Sequence, residues 1–89
     1  MELIGHQPST LYGTAHWSNA AGQHTHIGGN TTLSSGIFND EFHVFSIIWN
    51  ENQIRWLLDD QVYYVLDITL ADRTEFHQDF FFIFNVAVG

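Results

Sequence analysis

The chain has no cysteine, so neither a disulfide framework nor a thiolate metal site can add stability to its 89 residues. The redox compartment stays open on that count. Basic residues are nearly absent too: Arg55 and Arg73 stand against ten acidic side chains, giving a formal net charge of -8. Such a chain cannot neutralise a phosphate backbone, which argues against nucleic acid as a partner. An anionic membrane surface is disfavoured for the same reason. No apolar run approaches the roughly 20 residues of a membrane span, and the N-terminus lacks the basic and apolar regions of a signal peptide. Helical periodicity is missing as well, since no stretch keeps an apolar face at helical spacing over about three turns.

What the chain does have is apolar and aromatic material, 45% and 16% of its residues. A domain of this length buries only about 60–65% of the surface its unfolded chain exposes. Several of these side chains therefore await a partner layer. Both ends also fall inside hydrophobic pattern, at Met1–Ile4 and at Phe80–Gly89, whereas natural domains tend to end in polar residues. The expectation is a single partial domain over residues 1–89, an internal piece of a larger fold.

Period-2 patterning predicts a nearly all-β chain. Leu3-Ile4 ends one strand, and Gly5–Ser9, with the one proline, makes a turn. Thr10–Trp17 is a second strand, with Leu11, Gly13, Ala15 and Trp17 on one face and Tyr12, Thr14 and His16 on the other. Residues 18–35, rich in Gly, Asn, Ser and Thr, are expected to form a long loop with a short strand near Thr31–Leu33. Phe42–Asn50 is a strand, and Gln53–Leu58 with Gln61–Leu66 flank Asp59-Asp60 as a hairpin. Asp67–Phe76 has room for one helical turn. Phe80–Val88 reads as an apolar strand covered on both faces, and Trp49 and Trp56 are expected in the core.

Three stretches carry a resemblance. Met1-Glu2, Gly5-His6-Gln7-Pro8-Ser9-Thr10 and Tyr12-Gly13-Thr14-Ala15-His16 form the first. Phe42–Trp49, Ile54-Arg55-Trp56 and Asp59–Tyr63 form the second, and Phe76-His77-Gln78 with Phe80–Gly89 the third. In collinear order over almost the whole chain, these resemble glycoside hydrolase family 16 in its laminarinase-type branch, from the end of the catalytic signature onward. The resemblance implies an all-β fold of antiparallel strands, a partial jelly-roll β-sandwich of the concanavalin A-like kind, forming an incomplete domain. It also implies a retaining endo-β-glucanase acting on β-1,3- or mixed β-1,3/1,4-glucans, extracellular or periplasmic, with a β-glucan polysaccharide or oligosaccharide as partner.

In the family signature Glu-x-Asp-x-x-Glu, the last Glu is the general acid/base. It matches Glu2, and the nucleophile and assisting Asp would lie five and three residues upstream of it. Retaining hydrolysis needs two carboxyl groups about 5–5.5 Å apart, one attacking the anomeric carbon and one protonating the leaving oxygen. Alternate strand residues share a face, and a bulge restores the phase when an extra residue intervenes. The 89-residue chain alone is accordingly predicted to be inactive.

By the same resemblance His16 is a cleft histidine that contacts sugar, and Asn85 and Gln78 bind substrate at or near the cleft strand. Trp17 is a candidate stacking platform for a pyranose face. Asp79 departs from the family's proline and Asp60 from its hairpin glycine, so the turns there are expected to be shifted or strained. His24 and His26 share a face if their segment is extended, yet two imidazoles do not make a metal site, and with His16 or an acidic residue as an unproven third none is predicted. No cofactor is expected, although the resemblance leaves room for a structural calcium in the full domain. Two other classes stay open: a non-catalytic carbohydrate-binding sandwich, and an assembly role with self-association through missing strands.

Overall fold

A computed structural model describes residues 1–88, and Gly89, the last residue of the third resembling stretch, lies outside the described residues. The described residues form two antiparallel three-stranded sheets. The first contains β1 (Glu2–Leu3), β2 (Thr10–Ser18) and β3 (His24–Thr32) in that order. The second contains β4 (Phe45–Trp49), β5 (Gln53–Leu58) and β6 (Gln61–Asp67). Short 3₁₀ turns cover Phe38–Asp40 and Ala71–His77. No described helix is long and apolar enough to cross a membrane.

Alternation in β2 follows the expectation: Leu11, Gly13, Ala15 and Trp17 are buried while Tyr12, Thr14 and His16 face outward. That buried face lies on β5 and β6. Ala15 and Trp17 pack with Ile54, Trp56, Leu66, Ile68 and Phe76, and Leu11 packs with Phe38 and Leu58. This is a partial β-sandwich whose core is made by inward residues of both sheets. Gly13 and Gly29 stand directly opposite each other in the β2–β3 ladder. A Cβ on Gly13 would come within 2.6 Å of the Trp56 ring, and one on Gly29 within 2.5 Å of the Tyr64 ring. Both glycines are therefore seats for aromatic rings of the facing sheet. Tyr63 is the extra residue of a bulge beside Trp56 and Leu57, which lets it and Tyr64 both reach the core.

The β5–β6 hairpin forms with its register intact, Leu58 opposite Gln61. Asp59 and Asp60 both take positive φ, 49° and 65°, the left-handed pair of a type I′ turn. Asp60 thus stays in place where glycine would be easier. Asp59 is tied down instead: its carboxylate accepts from the Val44 amide at 2.8 Å and contacts His43 Nδ1 at 2.6 Å. The His43 hydrogen bond, then that amide, hold its carboxyl below the usual aspartate range.

Three expectations for the remaining chain need correction. Residues 24–32 are a nine-residue strand rather than loop, paired along their whole length with β2. Its apolar content is small, with Ile27 its one large hydrophobic side chain, so hydrophobic patterning gave no signal. Asn19–Gln23 closes the hairpin, the Asn19 side-chain oxygen accepting from the amides of Ala21 and Gln23 at 3.0 Å each. Phe80–Val88, by contrast, is in no ladder. A strand exists only where its amides and carbonyls find a neighbour, and no described strand pairs with this segment. The Phe42–Asn50 strand is also shorter at its start, since His43 and Val44 are drawn to Asp59.

Candidate functional site

Glu2 lies in β1 opposite Tyr12, and so on the outward face of the first sheet. There Met1, Glu2, Tyr12, Thr14 and His16 line an open groove of about 200 Å³. The Tyr12 hydroxyl donates to the Gln7 side-chain oxygen, which fixes the ring at the groove floor. A carboxyl group, hydroxyls and an imidazole can together hydrogen-bond a polyhydroxylated ligand and carry one proton to or from it. Glu2 is the groove's one acidic side chain among the described residues. The second carboxylate that retaining hydrolysis requires is not in the lining.

The structure brings Glu2 and His16 together and leaves the other sequence candidates elsewhere. Trp17 is not a stacking platform, because strand alternation turns it to the core face. It is 9% exposed, edge-on to Phe76, with the Arg73 guanidinium 5.5 Å over its ring. Gln78 lines a separate depression of about 350 Å³ with Trp49, His77 and Phe80. Asn85 is exposed within the unpaired segment and does not line the groove. Both positions depended on a strand over 80–88, and without its ladder nothing carries them to Glu2.

Two groove residues were missed as site candidates. Tyr12 and Thr14 share the period-2 face of His16, and that alternation was the signal that could have included them. A third feature appears because β3 forms. The register sets His16 directly opposite His26 and Ser18 opposite His24, so three imidazoles project from one exposed face. Among the described residues this is the one group of three His, Cys, Asp or Glu side chains close enough to share an ion. Its nitrogen donors do not suit calcium, which takes six to eight oxygens.

The sequence matches the family model of glycosyl hydrolases family 16 over residues 1–85. It is 30% identical over 96 residues to a glucan endo-1,3-beta-glucosidase of Cryptopygus antarcticus, covering 99% of this chain and 36% of that protein. With a beta-glucanase of Rhodothermus marinus the identity is 32% over 99 residues, covering 100% of this chain and 33% of the relative. The chain thus spans about a third of the length of these curated relatives. The fold is similar to the catalytic domain of an endo-1,3-beta-glucanase (laminarinase) from Thermotoga petrophila, with a TM-score of 0.61 at 36% identity over 73% of this chain and 26% of that one.

Proposed function

We propose, since the chain belongs to glycosyl hydrolase family 16, that it carries the acid/base half of a glucan-cleaving site, with Glu2 as the proton donor and acceptor. The supporting observation is the groove in which Glu2 shares an outward sheet face with Tyr12, Thr14 and His16. Glu2 would protonate the leaving glycosidic oxygen and then, as carboxylate, take a proton from the attacking water. His16, Tyr12 and Thr14 would hydrogen-bond sugar hydroxyls across the groove. The substrate class is a β-1,3-linked or mixed β-1,3/1,4-linked glucan, the protein is extracellular or periplasmic, and the nucleophilic carboxylate comes from outside this groove. Neutral glycans suit an acidic chain, because stacking and hydroxyl contacts need no cationic group.

The deciding measurement is reducing-end release from a β-1,3-glucan by protein that carries this segment with a competent nucleophile, compared with its Glu2→Gln variant. Loss of about 10²–10⁴-fold in kcat is expected. On an activated aryl glycoside, whose leaving group departs without protonation, added azide should restore turnover of the variant, followed by aryl-alcohol release, with the glycosyl azide of retained configuration as product. Unchanged hydrolysis would remove Glu2 from the reaction. The 89-residue chain by itself is expected to release nothing, its groove holding one carboxyl group. That observation also favours a second reading for the isolated chain, sugar binding without cleavage, for which His16→Ala should weaken laminari-oligosaccharide binding in calorimetry.

A further inference from the structure

From the register of β2 with β3, we propose that His16, His24 and His26 form a binding site for a divalent d-block cation of the zinc class. The site shares His16 with the groove but needs neither Glu2 nor any sugar, so its test is read without a glycan present.

Geometry leads the argument. Alternate residues of a strand share a face, and directly opposed residues of an antiparallel pair share it too. His24 and His26 are two apart on β3, and His26 is opposite His16. The three rings sit with centroids 5.3 Å, 5.7 Å and 5.8 Å apart. One ring nitrogen from each falls within 4.8 Å of the other two. His16 Nδ1 and His24 Nε2 are already 3.0 Å apart. Zinc–imidazole bonds of about 2.0–2.1 Å in tetrahedral geometry place ligand nitrogens about 3.3–3.4 Å from one another. A shared ion would draw the trio from within 4.8 Å to that spacing.

The donor set narrows the ion. Imidazole nitrogens suit zinc, copper and nickel, whereas magnesium and calcium prefer oxygen. Three protein ligands with all three side chains exposed leave a fourth coordination place for water. The surroundings also favour a cation. Neither basic residue, Arg55 or Arg73, lies in this sheet, and the net charge of -8 raises the local cation concentration. A hydrogen bond between two neutral imidazoles would account for His16 and His24 alone. The ladder register brings His26 beside His16, and a shared ion would use all three rings.

The test is calorimetric titration of the 89-residue chain with Zn²⁺, and separately with Ca²⁺, in a buffer free of chelators. One Zn²⁺ per chain and no Ca²⁺ are expected. Changing a group that merely orients a ligating histidine costs about 10–100-fold in affinity, so His16→Asn, His24→Gln and His26→Gln should each cost at least about 100-fold. His6→Gln should change nothing, since His6 is outside the trio. His26→Cys replaces one ligand by another and should bind more tightly than His26→Gln, which separates loss of a donor from loss of fold. Zn²⁺ affinity unaffected by His16→Asn would reduce the site to two ligands and overturn the proposal. Equal losses in His6→Gln, or equal weakness of the Cys and Gln variants, would overturn it as well.

Discussion

Trp56 and Trp49 stand on neighbouring strands, and their register partners, Ile47 and Ile54, put both on the same face of the second sheet. Trp56 is 3% exposed and Trp49 is 39% exposed. The difference lies in what covers them. The first sheet is laid over β5 and β6, where Gly13 and Gly29 admit the rings of Trp56 and Tyr64. It does not cover β4, whose inward residues Phe45, Ile47 and Trp49 stay exposed. Residues 80–88 continue this open half, with Phe82 88% exposed. Equally hydrophobic strands thus end in opposite environments, and the facing layer, more than side-chain type, determines what each contributes to stability.

The largest contrast is expected from the tryptophans themselves. Trp56→Ala should cost about 3–5 kcal/mol, the range for emptying a packed aromatic site. Trp49→Ala should cost about 1–2 kcal/mol, for its partly buried ring and its hydrogen bond to the Phe76 carbonyl at 3.0 Å. Denaturant unfolding of both variants measures this, and equal costs would mean that the β4 face is covered in solution.

A smaller contrast lies in the glycines. Gly13→Ala should destabilise by about 1–3 kcal/mol, because its methyl group would press on the Trp56 ring. Gly5→Ala, with nothing within 4 Å of the added carbon, should stay within about 0.5 kcal/mol. Thermal melts of the pair would locate the tight seam between the sheets, and a harmless Gly13→Ala would show that the seam is loose.

Smallest at neutral pH is the effect of Tyr63→Phe. The Tyr63 hydroxyl is buried without a protein partner, and burial pushes its pKa up to about 12. Removing it should leave stability unchanged or raise it by up to about 1 kcal/mol. Alkaline pH is more revealing. Between about 10 and 12 the unfolded chain has lost the phenolic proton and the folded chain keeps it, so stability should fall as pH rises through that window. The Tyr63→Phe variant should show a shallower fall, and identical alkaline profiles would place the hydroxyl in water.

Most of the strand inventory was legible before any coordinates. Leu11, Gly13, Ala15 and Trp17 alternate with polar neighbours, and Asp59-Asp60 separates two β-rich runs, so β2 and the β5–β6 hairpin could be read locally. β3 could not, because His24, Thr25, Gly28, Gly29 and Asn30 show no apolar alternation and become a strand by pairing with β2. The available sign was the β-branched set Thr25, Ile27, Thr31 and Thr32, three of the four on one parity after a Gly22 turn. At the site, Glu2 and His16 rested on collinear motifs and were brought to one groove. Trp17 has the aromatic character of a stacking platform but the parity of the core face, and parity decides its place. Gln78 and Asn85 relied on a ladder that the described chain does not form.

The sequence by itself determined that the chain is β, where β2 turns its apolar side, and where the β5–β6 hairpin reverses, since these follow from the two-residue period and from turn chemistry within a few positions. Tertiary structure decided which apolar faces are covered, that residues 24–32 are a strand, and that three histidines from two strands meet. Pairing register joins residues far apart in the chain, and a local pattern carries no information about which distant ladder will complete it.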